Sequence, residues 1–147
     1  GTVCRSTGLQ GRWQTLSHAP TVVCDTGHNV AGWQYLSSQI RAQSYRTLRM
    51  VFGMVDDKDL DTVLTLLPKE ATYYFTQAST HRAVPCEVVA QKAAQNALHG
   101  TIYNNVYAAY KAALSDAEKD DFIFVGGSSY VVADLLSNLK MCSEKTK

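Results

Sequence analysis

Short runs of β-branched, aromatic or aliphatic residues alternate along nearly the whole chain with amphipathic stretches of about a dozen residues, and this alternation restricts the fold more than any single motif does. The runs are Thr21-Val22-Val23-Cys24, Leu48-Arg49-Met50-Val51-Phe52-Gly53, Thr72-Tyr73-Tyr74-Phe75-Thr76, Thr101-Ile102-Tyr103 and Phe122-Ile123-Phe124-Val125. The first, short, β-branched and apolar, reads as a strand buried on both faces of a parallel sheet, and the others read as further strands. Between them, residues 31–42 carry Trp33, Leu36 and Ile40 at helical spacing. A second helix is expected over 58–67, with Asp57 as cap, Leu60, Val63, Leu64 and Leu67 on its buried face and Pro68 beyond its end. A third begins at Pro85 and runs to about residue 98 with Gly100 as its stop. Asn104 or Asn105 caps a fourth over 106–117, and 130–139 form the last, followed over 141–147 by a tail expected to be disordered. Trp13-Gln14-Thr15-Leu16 predicts an extra edge strand. Strands separated by helices imply right-handed crossovers. The expectation is an α/β, Rossmann-like three-layer sandwich: a mostly parallel sheet of about six strands with helices on both faces.

At 147 residues the chain suffices for one domain with a proper core and is too short for two ordinary ones, so 1–147 is read as a single domain. The 14 Lys and Arg balance 13 Asp and Glu without a basic stripe, which argues against nucleic acid and membrane surfaces as partners. There is no apolar stretch long enough to span a bilayer and no signal peptide, so a soluble, cytoplasmic protein is expected. Cys4, Cys24, Cys86 and Cys142 form no CxxC pair and read as reduced thiols. The histidines do not cluster at metal-ligand spacing, so no metal site is expected in this chain. The opening residues, 1–8, look like the tail of a preceding element, and the chain is read as a fragment of something larger.

Asp25 closes the first apolar run, where the crevice of an open α/β sheet forms. As a lone aspartate there it is as readily a helix cap. His28 and Asn29 change the balance by opening a helix whose dipole favours anions. Arg12 follows Gly8-Leu9-Gln10-Gly11, and the extra edge strand would bring it beside Asp25, where a guanidinium pairs with the carboxylate or reaches a phosphate. Gly126-Gly127-Ser128-Ser129 is a strand, a glycine turn and a helix start; it lets backbone approach a ligand, although many such turns hold glycines only for tight packing. The loops over 53–59 and around His81-Arg82 lie at strand carboxyl ends, and capping or solvated charge explains them adequately. Neither GxGxxG nor GxxxxGK[ST] occurs, so the chain has no P-loop.

Taken in order, Leu9-Gln10-Gly11-Arg12-Trp13, Asp25-Thr26-Gly27-His28-Asn29, the Asp-Lys-Asp of 57–59, His81-Arg82-Ala83 and Phe124-Val125-Gly126-Gly127-Ser128 resemble the C-terminal domain of the folylpolyglutamate synthase and dihydrofolate synthase family, and more distantly that of the Mur ligases. Gln10 and Val30 stand where the family has prolines, a change of backbone stiffness more than of chemistry. The resemblance implies an ADP-forming amide ligase of folate biosynthesis and one-carbon metabolism. In that family ATP phosphorylates a folate or dihydropteroate carboxylate, and the amino group of L-glutamate attacks the acyl phosphate. It also implies that the P-loop, the Mg ligands and the pterin pocket belong to an N-terminal ATPase domain, the partner in cis that this chain lacks.

Carried over by motif, Arg12 and Asp25 match ATP-contacting residues, and His28 and Ser128 match residues that hold the incoming glutamate. Asn29, Lys58 and Arg82 are secondary candidates that organise the loops. No residue of this domain is expected to catalyse alone, so the chain should fold, as a monomer, without turning over substrate. The alternative from another class is a stand-alone Rossmann-like module that binds a small ligand or a protein without chemistry, since fold does not fix function.

Overall fold

Residues Phe122 to Gly126 are buried at all five positions, because this strand is hydrogen-bonded on both sides and covered on both faces. The computed structural model describes residues 12–56 and 58–145, the side chains of 142–145 excepted. In chain order the elements are β1 (Gln14–His18), β2 (Thr21–Asp25), α1 (Val30–Arg41), β3 (Leu48–Phe52), α2 (Leu60–Leu66), β4 (Thr72–Phe75), α3 (Cys86–Ala94), β5 (Gly100–Ile102), α4 (Val106–Asp116), β6 (Phe122–Gly126) and α5 (Ser129–Lys145). Among the described residues the sheet has six strands in the order β1-β2-β6-β3-β4-β5. All neighbours are parallel except β1 and β2, which pair antiparallel with a slip of register between Thr15 and Ser17.

Alternation along the strands divides the core in two. Val23, Met50, Phe52, Tyr73, Phe75, Phe122 and Phe124 point to one face, where Trp33, Leu36 and Ile40 of α1, Leu60, Val63 and Leu64 of α2 and Val89 and Ala93 of α3 pack on them. Val22, Cys24, Val51, Tyr74, Ile123 and Val125 point to the other, under Val106, Ala109 and Ala113 of α4 and Val131, Val132 and Leu135 of α5. This is the expected α/β three-layer arrangement.

Several local expectations need correction. The third helix stops at Ala94, not near residue 98, and the left-handed residue beyond it is Ala97, at φ 60°. Gly100 is no helix stop: it opens β5, where a Cβ would lie 1.9 Å from the Tyr73 carbonyl oxygen. The last helix continues past residue 139 to Lys145, because Lys, Met and Glu are good helix formers and neither Gly nor Pro interrupts them. The second begins at Leu60 behind Asp59, whose side chain makes no capping bond; the expected cap, Asp57, lies outside the described residues. Residues 1–11, with the Gln10-Gly11 part of the arginine motif and Cys4, also lie outside them.

At the amino end of β6, Asp121 is 2% exposed and gathers what surrounds it. Its carboxylate accepts from Arg46 and Arg49 at 3.1 Å each, from the Glu118 amide at 2.9 Å and from the Thr47 amide at 3.2 Å. Arg49 donates onward to the Tyr74 hydroxyl at 2.9 Å, which donates to Asp116 at 2.8 Å. Burial alone would push the Asp121 carboxyl up, but the Glu118 amide, the Arg49 hydrogen bond and the two guanidinium charges outweigh it and hold the pKa below its ordinary value. Burial, with Asp116 beside it, pushes the Tyr74 hydroxyl up to about 12.

A carboxyl whose pKa is lower folded than unfolded stabilises the fold above its ordinary titration range and loses that effect as pH falls through the lowered value. Asp121→Asn is therefore expected to cost about 3 kcal/mol in urea unfolding at pH 7, with the gap from wild type narrowing on acidification. Wild-type stability of the variant at pH 7 would contradict the network's role.

Candidate functional site

The parallel register sets Asp25, Gly126 and Phe52 side by side at the carboxyl ends of β2, β6 and β3. Asp25 lies on the same side of the sheet as Val23, toward α1, and is 5% exposed. Its Oδ2 accepts from the Trp13 amide and its Oδ1 from the Gly27 amide, both at 2.8 Å. Trp13 has φ 36°, a conformation that a bulky residue adopts only when surroundings impose it. The carboxylate is one such constraint. The indole is the other, with ring centroids 6.0 and 6.4 Å from those of Phe122 and Phe124. The backbone is thus pinned next to Arg12, which stands exposed at the rim. On the opposite side Gly27 fits only because it has no Cβ, which would lie 2.6 Å from Leu36 Cδ1 and 3.2 Å from Asp25 Oδ1.

Asn29 caps α1, its Oδ1 accepting from the Gly32 amide at 2.8 Å. His28 is exposed, with Nδ1 3.4 Å from the Thr26 carbonyl oxygen. No acidic residue occupies the first turn of α1; the Asn29 cap and the Asp25 carboxylate stand just ahead of it. Between the Arg12-Trp13 turn and α1 lies an open cleft of about 730 Å³, lined at one end by Arg12, Asp25, His28 and Asn29 and along α1 by Tyr35, Leu36 and Gln39. Four residues singled out in the sequence therefore share one cavity. Tyr35 and Gln39 escaped notice there, because their spacing marks only the solvent face of an amphipathic helix.

The other three lie elsewhere. Ser128 is buried and caps α5, its Oγ accepting from the Val131 amide at 3.1 Å. It sits at the same sheet end as Asp25 but does not line the cleft. Gly127 has φ 111°, and a Cβ there would lie 2.0 Å from the Gly53 carbonyl oxygen, so this turn presses its backbone on the neighbouring strand end. Tight packing explains the glycines.

Arg82 binds the Asp56 carboxylate through Nε and Nη2, donates from Nη1 to the Tyr130 hydroxyl at 3.1 Å, and lies 5.5 Å from that ring's centroid. The arginine holds the Asp56 carboxyl below its usual range, and the aspartate pushes the guanidinium pKa up in turn. With Asp56 N donating to Arg82 O at 3.0 Å and Val84 N to Met54 O at 2.9 Å, the loops after β3 and β4 are stitched together and tied to the start of α5. Lys58 is exposed in the first of these loops.

The family described as Mur ligase, glutamate ligase domain, matches residues 11–129. A dihydrofolate synthase/folylpolyglutamate synthase of Buchnera aphidicola is 30% identical over 131 residues, 88% of this chain and 31% of that protein. Escherichia coli FolC solved in complex with ADP, without folate substrate, superposes with a TM-score of 0.84 at 27% identity, covering 92% of this chain and 33% of that one. A bifunctional folylpolyglutamate synthase/dihydrofolate synthase solved with Mn, AMPPNP and L-glutamate bound superposes with a TM-score of 0.78 at 27% identity, over 92% and 32% of the two chains. The chain thus spans about a third of the length of the relatives it matches.

Two outcomes test this geometry. Asp25→Ala is expected to abolish the hydrogen-exchange protection of the Trp13 and Gly27 amides while leaving that of β6 intact; protection retained at Trp13 would show that the indole alone holds the turn. Gly127→Ala should destabilise the chain by about 2 kcal/mol or more in urea unfolding, from positive φ and the contact with Gly53 together.

Proposed function

Because the chain belongs to the Mur ligase, glutamate ligase domain family, we propose that it is the C-terminal domain of an ADP-forming amide ligase of the folylpolyglutamate synthase/dihydrofolate synthase type. The full reaction joins L-glutamate to tetrahydrofolate, folate or dihydropteroate through an acyl phosphate made from ATP. The observation that carries this reading is the convergence of Arg12, Asp25, His28 and the α1 amino terminus on one cleft. Its volume is that of an ordinary small-molecule site. A guanidinium and a helix amino terminus together favour phosphate, the former as a planar fork and the latter through free amides.

In this reading Arg12 and Asp25 contact ATP, with the guanidinium neutralising phosphate charge. His28 and Ser128 hold the glutamate near the acyl phosphate. The Ser128 oxygen already accepts from Val131, which leaves its hydrogen to donate. Asn29 shapes the helix start, while Lys58 and Arg82 organise the loops. The reading attributes the Mg ligands to the N-terminal P-loop ATPase domain, the partner in cis. No helix of the described residues is long and apolar enough to cross a membrane. By analogy with the folate ligases it resembles, the parent protein is read as a cytoplasmic monomer.

The test is ADP release with ATP, L-glutamate and dihydropteroate or tetrahydrofolate. A polypeptide in which a P-loop domain precedes this chain should turn over, the chain by itself should not, and Arg12→Ala or Asp25→Asn should each lower kcat/KM about 100-fold with the circular dichroism spectrum unchanged. Full activity in both variants would remove the cleft from the mechanism.

A further inference from the structure

We infer that Tyr130 is a positioning residue for the glutamate step: together with Arg82 it fixes the first turn of α5, and through that turn the direction in which Ser128 offers its hydroxyl to L-glutamate. This deepens the ligase reading and rests on it, since Ser128 is a residue that the reading gives to glutamate.

Ser128 stands between two clamps. Just before it, Gly127 is pressed on the Gly53 carbonyl oxygen, while the Gly53 amide donates to the Gly126 carbonyl oxygen at 3.2 Å. Just after it, Tyr130 meets Arg82, whose Nη1 donates to the Tyr130 hydroxyl at 3.1 Å and whose guanidinium carbon lies 5.5 Å from the ring centroid. Both clamps come from the loops that follow β3 and β4.

The second clamp has a fixed support. Both oxygens of Asp56 hold Arg82, and the two loops are paired at Val55 and Ala83. The β4 loop is also bound to α5 one turn beyond Tyr130, where the Asp134 carboxylate accepts from the Ser79 amide at 2.7 Å and from the Ser79 hydroxyl at 2.9 Å. Tyr130 and Asp134, four residues apart, therefore carry one loop on one face of the helix. Ion pairs between exposed groups add little to stability. A bridge of this kind at the protein surface accordingly does more for geometry than for folding. The geometry it sets is that of the α5 cap: the Ser128 oxygen accepts from the Val131 amide at 3.1 Å, and the direction left to its hydrogen follows the tilt of the first turn.

The experiment is steady-state kinetics on the polypeptide in which a P-loop domain precedes this chain, comparing Tyr130→Ala, Tyr130→Phe, Ser128→Ala and the Ser128→Ala/Tyr130→Ala double variant, with circular dichroism on each. Tyr130→Ala should raise the KM for L-glutamate about tenfold and leave kcat and the KM for ATP near wild type. Tyr130→Phe keeps the ring under the guanidinium and loses only the hydroxyl, so its KM should fall between the two. The double variant should be no worse than Ser128→Ala, because a residue acting through the serine then has nothing to position. Additive losses in the double variant would overturn the inference. Equal rises in the KM for glutamate and for ATP in Tyr130→Ala would also overturn it, by exposing a general disturbance of the sheet end. A glutamate KM that rises in Ser128→Ala but not in Tyr130→Ala would overturn it and leave the ligase reading standing. Wild-type glutamate KM in Ser128→Ala would overturn the serine's role and the inference together.

Discussion

Everything in the sheet is referred to β6. Hydrogen-bonded to β2 on one side and β3 on the other, it fixes which residues of three strands stand level, and so which groups meet at each end. At its start Asp121 ties down the segments that lead into β3 and β6, using a carboxylate in a place where burial without partners would be prohibitive. At its finish come two glycines, the second pressed on the backbone of Gly53, and then the cap of α5. The carboxyl end of the sheet has little side-chain bulk at its centre and its polar groups to one side.

Asp25 shows how one residue holds two turns and lines a cleft together. Both its oxygens are engaged by backbone amides, one from the turn before β1 and one from the turn before α1, so the carboxylate is the joint between the two walls of the cleft. A group held by two amides in this way has a fixed orientation. The same bonds hold the backbone beside Arg12, so the arginine's reach depends on an aspartate twelve residues after the strained Trp13. Substituting Asp25 therefore alters shape and charge at once.

The layers were legible because burial writes itself into periodicity: Trp33, Leu36 and Ile40 are buried as their spacing requires, and every apolar run lies in a strand. Asn105 caps α4 as its position suggested, through a bond to the Ala108 amide. What escaped the sequence was decided by contacts between distant residues. Gly100 looked like a helix stop, but its lack of a Cβ answers to Tyr73 on the adjacent strand. Asp121 carried no expectation, because nothing local announces two arginines more than seventy residues away. Arg82 was read as a residue organising the loops, but its partners, Asp56 and Tyr130, lie 26 and 48 residues away and had no local sign. In the cleft the motif residues Arg12, Asp25, His28 and Asn29 were readable, whereas Tyr35 had no local signature.

The slip of register between Thr15 and Ser17 in β1 has a meaning for the molecule's company. An outermost strand with a regular ladder offers its free amides and carbonyls to any extended polypeptide; an irregular one twists away and spoils the template. The opposite border, β5, is three residues long and gives a newcomer little to zip against. Among the described residues, both borders of the sheet therefore offer a poor template for lateral growth.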